Sequence, residues 1–253
     1  MKWAWWSAVA RLKTKASFCA LVCTVSIATT SQSHAVEPVQ LELLLAIDSS
    51  TSVNRREYAL QRDGLANAFR DEGVLRSIRS LQPLGLVISV VQWSERGRQI
   101  TSVPWTRISG RASAEAFAAR LATMPRAVRG MTDIAGALDF SRISIQQNAY
   151  RGARMVIDVS GDGSSGQSDP SSARDRAVNA GITVNGLVIH SKEYDLGTLA
   201  DIDLFQHYSQ RVTGGPGSFV MEAANYNDFA DSIRRKLIRE ISGADFAELV
   251  PSR

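Results

Sequence analysis

Cysteine is nearly absent from this chain, and the placement of its two residues restricts the chemistry. Of the 253 residues only Cys19 and Cys23 are cysteines, and both fall within the first 35. If that segment is removed, the protein has no thiol for a disulfide, a zinc–thiolate site or a cysteine nucleophile. The remaining 218 residues are enough to bury a core without such cross-links.

The chain also lacks an apolar run long enough to span a membrane. Residues 16–30 are apolar or small, but a spanning helix needs about 20 apolar residues. They follow a basic start that has no acid, and Ser33-His34-Ala35 then offers small residues at the two positions that a signal peptidase reads. We predict a signal peptide over 1–35, cleaved after Ala35, and an exported protein, periplasmic or secreted. An uncleaved membrane anchor is the alternative.

Beyond this predicted signal peptide, or leader, the chain has no excess of positive or negative charge. The leader's four basic residues account for the whole formal charge of +4, because the other 218 residues carry 25 basic and 25 acidic side chains. A nucleic-acid-binding domain needs a basic stripe or patch. The neutral balance therefore argues against a nucleic-acid partner.

Short apolar runs alternate with helical patterns along residues 36–242. The patterns predict strands over 41–48, 84–94, 99–108, 154–160, 182–190 and 218–222. They predict helices over 54–70, 74–81, 113–124, 134–148, 171–180, 196–212 and 227–241. The second and third strands are too closely joined to be parallel. This alternation predicts one α/β domain: a doubly wound, mostly parallel sheet with one antiparallel edge strand and helices on both faces. Residues 243–253 form a short tail.

Oxygen-bearing side chains follow the first strand. Asp48 ends the apolar run, and Ser50 and Ser52 come within the next four residues. A carboxylate and two hydroxyls on one loop suit a hard divalent cation. The competing explanation is local, since serine often caps a following helix and aspartate often begins a turn. Partners elsewhere in the chain must decide between the two.

Two further loops supply such partners. Thr132, with Asp133 beside it, precedes the predicted helix 134–148. Asp162 lies between two glycines after the predicted strand 154–160. In a doubly wound sheet the loops after parallel strands meet at one edge. A divalent ion there can take the oxygens of Ser50, Ser52 and Thr132, with Asp48 and Asp162 holding it directly or through water.

These five residues, in this order, resemble the metal-ion-dependent adhesion site (MIDAS) of the von Willebrand factor A fold. The resemblance covers about residues 41–242. Residues 156–163, 185–187, 214–217 and 236–241 resemble the bacterial DUF1194 branch of that superfamily, which does not indicate a ligand. The second loop departs from the usual Thr-x-Thr, because it is Thr132-Asp133-Ile134. Asp133 then either binds the ion or caps the next helix, and we favour the cap.

The resemblance implies a binding module rather than an enzyme. Its cofactor would be a divalent cation, Mg²⁺ first, with Mn²⁺ or Ca²⁺ as alternatives, held by the five residues named above. The ion would accept one more anionic oxygen from an acidic side chain of a partner protein. Two alternatives stay open. One is a phosphatase of the haloacid dehalogenase type, which needs an acid where Ser50 stands, and the other is a scaffold with a vestigial metal site.

Five other residues attract attention but predict no second site. Asp158 lies inside a buried strand, where a carboxylate must be paired or neutral, so we expect an arginine or backbone donors as its partner. His190 and His207 are too scattered for a metal site, and no Gly-x-Ser-x-Gly elbow accompanies them. Trp93, on the second strand, and Trp105, on the third, are expected to pack across the hairpin, with an exposed recognition patch as the alternative.

Overall fold

A six-stranded sheet is the centre of the structure, a computed structural model that describes residues 36–165, 168–190 and 203–243. The strand order is β3-β2-β1-β4-β5-β6, and every neighbouring pair is parallel except β2 with β3. The strands are β1 Glu37–Asp48, β2 Leu86–Trp93, β3 Gln99–Ile108, β4 Tyr150–Gly161, β5 Ile182–Ile189 and β6 Val220–Ala223. The predicted mostly parallel sheet with one antiparallel edge strand is confirmed.

Helices cover both faces of this sheet, as predicted. They are α1 Arg55–Ala68, α2 Glu72–Ser80, α3 Arg111–Ala122, α4 Ile134–Gln147, α5 Ser171–Asn179, α6 Leu204–His207 and α7 Phe229–Ser242. Helices α1, α2, α3 and α7 share one apolar core, whereas α4 and α5 share the other. Among the described residues, no helix has the length and apolar character that crossing a membrane requires.

Strand β1 contributes alternately to the two cores. Leu43, Leu45 and Ile47 pack with α1 and α7, whereas Leu44 and Ala46 pack with α4 and α5. Successive side chains of a strand point to opposite faces, so a strand covered on both sides must be apolar throughout. That requirement explains the continuous run that ends at Asp48.

Two predicted strand starts were wrong. Strands β1 and β4 begin four residues earlier than expected, because their first residues pair with one another, Glu37 with Tyr150 and Val39 with Gly152. The predicted helix 196–212 is seen only from Leu204, since 196–202 lie outside the described residues. Its last turn, Tyr208–Val212, is a π-helix, in which the Thr213 amide donates to the Tyr208 carbonyl oxygen (2.9 Å).

Candidate metal centre

The candidate site lies where the strand order reverses. The chain proceeds from β1 to β2 on one side and later from β4 to β5 on the other, so the loops after β1 and β4 diverge. In doubly wound folds this divergence opens a crevice at the carboxyl ends of the strands. Asp48 is the last residue of β1, and Asp162 directly follows β4. The topology therefore brings together two of the predicted ligands that are 114 positions apart in the sequence.

Short hydrogen bonds connect four of the five predicted residues. The Ser52 Oγ donates to Asp162 Oδ1 (2.7 Å) and lies 2.9 Å from Ser50 Oγ. The Ser50 amide donates to Asp48 Oδ1 (2.7 Å). Both serine hydroxyls and both carboxylates thus form one continuous cluster of oxygen atoms.

Thr132 reaches this cluster from the loop before helix α4. A Cβ placed on Gly163 would lie 3.6 Å from Thr132 Oγ1, so the threonine hydroxyl faces the residue next to Asp162. All five predicted residues are therefore neighbours at one edge of the sheet.

The two carboxylates repel one another in a buried setting. Asp48 is fully buried and Asp162 is 8% exposed. Burial, then the charge of Asp162, raises the pKa of Asp48 to about 7, and burial also raises the pKa of Asp162. Among the described residues, neither Oδ2 atom has a hydrogen-bond partner. A divalent cation fits this donor set, because it would compensate two buried negative charges and satisfy their unpaired oxygens.

The serines do not cap helix α1. Its N-cap is Asn54, whose side chain accepts hydrogen bonds from the amides of Arg56 (2.9 Å) and Glu57 (3.0 Å). The local explanation for Ser50 and Ser52 is therefore wrong. Their hydroxyls point to one another and to Asp162 instead.

The site is compatible with a metal centre that relies on hydroxyls. The described residues contain no group of three or more histidine, cysteine, aspartate or glutamate side chains able to hold a metal ion. The cluster has two carboxylates only, and its other oxygens belong to serine and threonine. Most of its candidate ligands are therefore neutral hydroxyl groups.

Residues 38–245 match the family described as "Protein of unknown function (DUF1194)". The chain belongs to the DUF1194 family. No curated protein matches its sequence. The family membership that the sequence motifs predicted is therefore confirmed.

Solved structures of von Willebrand factor A domains share the fold. Proximal thread matrix protein 1 from the mussel byssus, in a form with a zinc-occupied MIDAS motif, superposes with a TM-score of 0.57 at 16% identity over 81% of this chain and 48% of that one. The pilus adhesin SpaC from Lactobacillus rhamnosus GG gives 0.57 at 14% identity over 80% and 31%. The SpRpn10 VWA domain gives 0.52 at 10% identity over 76% and 95%. This chain spans about half the mussel protein and a third of SpaC. At such low identities these superpositions show a shared fold alone.

Two polar residues that were not predicted from the sequence, the buried Gln92 and the partly buried Arg126, hold the loops of this site together. The Arg126 guanidinium donates to the carbonyl oxygens of Ser49 (2.9 Å) and Ser50 (2.5 Å). Gln92 Oε1 accepts from the Ala127 amide (2.8 Å) and the Ser49 hydroxyl (3.3 Å). Gln92 had a detectable signal, an amide side chain in a strand whose other residues are apolar except Ser89, whereas Arg126 had none.

Two tyrosines also approach the carboxylates. Tyr208 and Tyr226 are both buried, and the Tyr208 hydroxyl has no hydrogen-bond partner among the described residues. Burial first, then the charges of Asp48 and Asp162, raises the pKa of each phenol well above its ordinary value. Sequence patterns gave no reason to select either residue.

The favoured role of Asp133 was wrong. It precedes helix α4, but its carboxylate makes no capping hydrogen bond. Its Oδ1 accepts instead from the Ser168 hydroxyl (2.6 Å), and its Oδ2 lies 4.0 Å from the Arg96 Nε. Asp133 thereby ties the loop before α4 to the loop after β4, next to the candidate site.

Asp158 has a lysine partner rather than an arginine. The Lys236 Nζ lies 2.7 Å from Asp158 Oδ1 and 2.5 Å from Glu240 Oε1, and all three side chains are buried. Burial, then the charge of Asp158, raises the pKa of Glu240 to about 8. This cluster lies under helix α7 and joins it to the sheet, so its role is structural.

The remaining expectations concern the histidines and tryptophans. His190 is half-exposed and its Nε2 lies 2.9 Å from Glu222 Oε1, outside the oxygen cluster.

Trp93 is fully buried in the core beneath α4, which excludes it from an exposed patch. Trp105 packs against that same core, and its Nε1 donates to Ser144 Oγ (3.1 Å). Opposite Trp93 across the hairpin lies Gln99, so the two indoles are not a directly facing pair.

Proposed function

We propose that this protein is an exported binding module that holds a divalent cation at Asp48, Ser50, Ser52, Thr132 and Asp162. The ion is Mg²⁺ first, with Mn²⁺ or Ca²⁺ as alternatives. Through this ion the protein engages a protein partner that offers an acidic side chain. The observation that carries the proposal is the chain of contacts from Asp48 through the two serines to Asp162, with an unpaired buried oxygen on each carboxylate.

The chemistry of this donor set favours binding over reaction. Hydroxyl oxygens are neutral ligands, so the ion keeps part of its positive charge and attracts a further anionic oxygen. An acidic side chain of another protein can supply that oxygen. The zinc-occupied MIDAS motif of the mussel protein, on the same fold, supports the assignment of the site to a metal.

The phosphatase alternative has a specific weakness. Its chemistry needs a general acid two residues after the first aspartate, and Ser50 occupies that position. The Ser50 hydroxyl contacts Ser52, and no carboxyl group from another element replaces it beside Asp48 other than Asp162.

The proposal extends to processing and domain boundaries. We propose cleavage after Ala35, a binding domain over 36–242 and a short tail over 243–253. The leader and nearly all of the tail lie outside the described residues. The family match over 38–245 supports the domain bounds. N-terminal sequencing of the exported protein should begin at Val36, and retention of the leader in a membrane fraction would contradict export by cleavage.

A thermal melt tests the metal site. The purified protein is compared in chelator and in Mg²⁺, Mn²⁺ or Ca²⁺, beside Asp48→Ala and the exposed control Asp63→Ala. An ion at a hundred times its dissociation constant should stabilise the fold by about 2.7 kcal/mol, which is about 5–10 °C for a domain of this size. Asp48→Ala should abolish the shift and Asp63→Ala should retain it.

Two outcomes would contradict the proposal. No shift with any ion would leave a scaffold with a vestigial site. Magnesium-dependent hydrolysis of an aryl phosphate that Asp48→Ala abolishes would favour the phosphatase. The acidic partner is tested separately, by ion-dependent retention of proteins from the cell envelope and its loss when their carboxyl groups are chemically blocked.

A further inference from the structure

Tyr208 is a fully buried residue whose polar end has no evident partner. Its side chain is 0% exposed, and its hydroxyl makes no hydrogen bond with the described residues. Burying a hydroxyl without a hydrogen-bond partner is unfavourable. The residue also begins the π-helical turn Tyr208–Val212, and such turns occur frequently at functional sites. Packing alone would be served by phenylalanine, so the hydroxyl needs an explanation.

Two glycines on neighbouring strands make room for this side chain. A Cβ on Gly186 of β5 would lie 2.9 Å from the Tyr208 ring at Cδ1. A Cβ on Gly161 of β4 would lie 2.8 Å from the Tyr208 hydroxyl. Glycine weakens a strand interior, and it often marks a close approach of another group. The ring therefore enters a slot that only two missing side chains leave open.

The slot leads to the metal site. The same Cβ position on Gly161 lies 3.0 Å from Asp48 Oδ2, the carboxylate oxygen that has no hydrogen-bond partner. The Tyr208 hydroxyl and this oxygen are therefore within about 6 Å of one another, a separation that one bridging water spans. Trp93 borders the same point, with its Cζ2 atom 3.3 Å away. A buried donor and a buried acceptor, both unpaired, thus face each other across Gly161.

We propose that Tyr208 is a positioning residue of the metal site. Its hydroxyl donates a hydrogen bond to one water that in turn donates to Asp48 Oδ2, and this bridge fixes the orientation in which Asp48 holds the ion. The inference rests on the proposed function and adds a residue outside the five-residue motif. Groups that orient metal ligands in this way typically contribute 10- to 100-fold in metal affinity.

Calorimetric titration with Mn²⁺ tests the proposal in the purified protein. Tyr208→Phe keeps the ring and removes the hydroxyl, so its affinity should fall 10- to 100-fold. Tyr58→Phe is the matched control, because Tyr58 is also buried and its hydroxyl donates to the Pro125 carbonyl oxygen (3.0 Å). The control should bind Mn²⁺ as the wild type does, although it too loses a hydrogen bond.

A spectroscopic measurement separates positioning from packing. Adding Mn²⁺ should produce a tyrosine band in the near-ultraviolet difference spectrum of the wild type and of Tyr58→Phe. The band should be missing from Tyr208→Phe at saturating Mn²⁺. A residue that only fills the core would change the melting temperature of the ion-free protein without changing this band or the affinity.

Each result supports or overturns the inference. Wild-type affinity in Tyr208→Phe would overturn it and leave the proposed function intact. A lower ion-free melting temperature with unchanged affinity would overturn it as well, as would equal affinity losses in Tyr208→Phe and Tyr58→Phe. Failure of the wild type to bind Mn²⁺, Mg²⁺ or Ca²⁺ would overturn the proposed function and this inference together.

Discussion

Replacing Asp48 with asparagine should stabilise the ion-free protein and weaken the ion-bound one. Asparagine keeps an oxygen that can accept the hydrogen bond from the Ser50 amide (2.7 Å). It removes one of two buried carboxylates that repel one another, since burial and the charge of Asp162 both raise the pKa of Asp48. It also removes a charge that a bound cation needs. The two states should therefore respond to Asp48→Asn in opposite directions.

The size of the effect follows from the pKa of Asp48. Its ordinary value is 3.8, and the folded protein raises it to about 7. A shift of about 3 pH units, at about 1.4 kcal/mol per unit, corresponds to about 4 kcal/mol. This is the cost of keeping Asp48 ionised in the ion-free fold above pH 7. The asparagine variant avoids that cost.

The pH dependence has a definite sign. Between pH 4 and pH 7 the folded state binds more protons at Asp48 than the unfolded state, so the free energy of unfolding falls as the pH rises. The stability from this group is complete below about pH 4 and is lost above about pH 7. Asp48→Asn should thus exceed the wild type by more at pH 8 than at pH 5, by about 3 kcal/mol.

Urea denaturation without divalent ions, at pH 5 and pH 8, measures this difference. Asp63→Asn is the control, because the Asp63 side chain is 53% exposed and pairs with Arg62 at the surface. It should follow the wild type at both values. The same measurement in saturating Mg²⁺ should reverse the order, with Asp48→Asn the less stable protein.

One result would refute the reasoning. If the stability difference between Asp48→Asn and the wild type is the same at pH 5 and pH 8 without ions, burial and the charge of Asp162 do not raise the pKa of Asp48 in the folded state. The buried oxygens would then have partners other than a cation.

Three further predictions concern the surroundings of the site. Arg126→Gln leaves two loop carbonyl groups without their donor, so it should lower the urea-measured stability by about 1–3 kcal/mol, and Arg126→Lys should recover part of it. Lys236→Met leaves its two carboxyl partners without a cation and should lose about 3–5 kcal/mol at pH 7. Glu240→Gln should lose far less there, because the pKa of Glu240, raised to about 8, keeps it protonated. Gly186→Ala places a methyl group 2.9 Å from the Tyr208 ring and should lose about 1–3 kcal/mol in the same assay, whereas unchanged stability would mean that the ring is not confined there.

Much of the architecture follows from local patterns. The continuous apolar run before Asp48 predicts a strand covered on both faces, and the short turn after Trp93 predicts the antiparallel hairpin. Both features depend on neighbouring residues alone, which is why they were predictable. The extension of β1 and β4 to Glu37 and Tyr150 was not, because those residues are strands only by pairing with one another.

The five proposed ligands were found by type, order and spacing, and their convergence required the fold. Their supporting residues escaped prediction. Tyr208 lies 160 positions after Asp48, and nothing in the sequence relates the two. Lys236 has the same property, since it reaches Asp158 only because helix α7 packs on the sheet.

The sequence by itself determined the fold class, the family and the five oxygen-bearing residues, because apolar periodicity and motif spacing are properties of neighbouring positions. Only the tertiary structure decided that Asn54 caps α1, that Asp133 bonds to Ser168, and that Tyr208 faces Asp48. The physical reason is that burial and charge repulsion depend on which distant groups a fold brings within a few ångströms. A carboxylate's sequence position does not reveal the water that it loses or the charges that it meets.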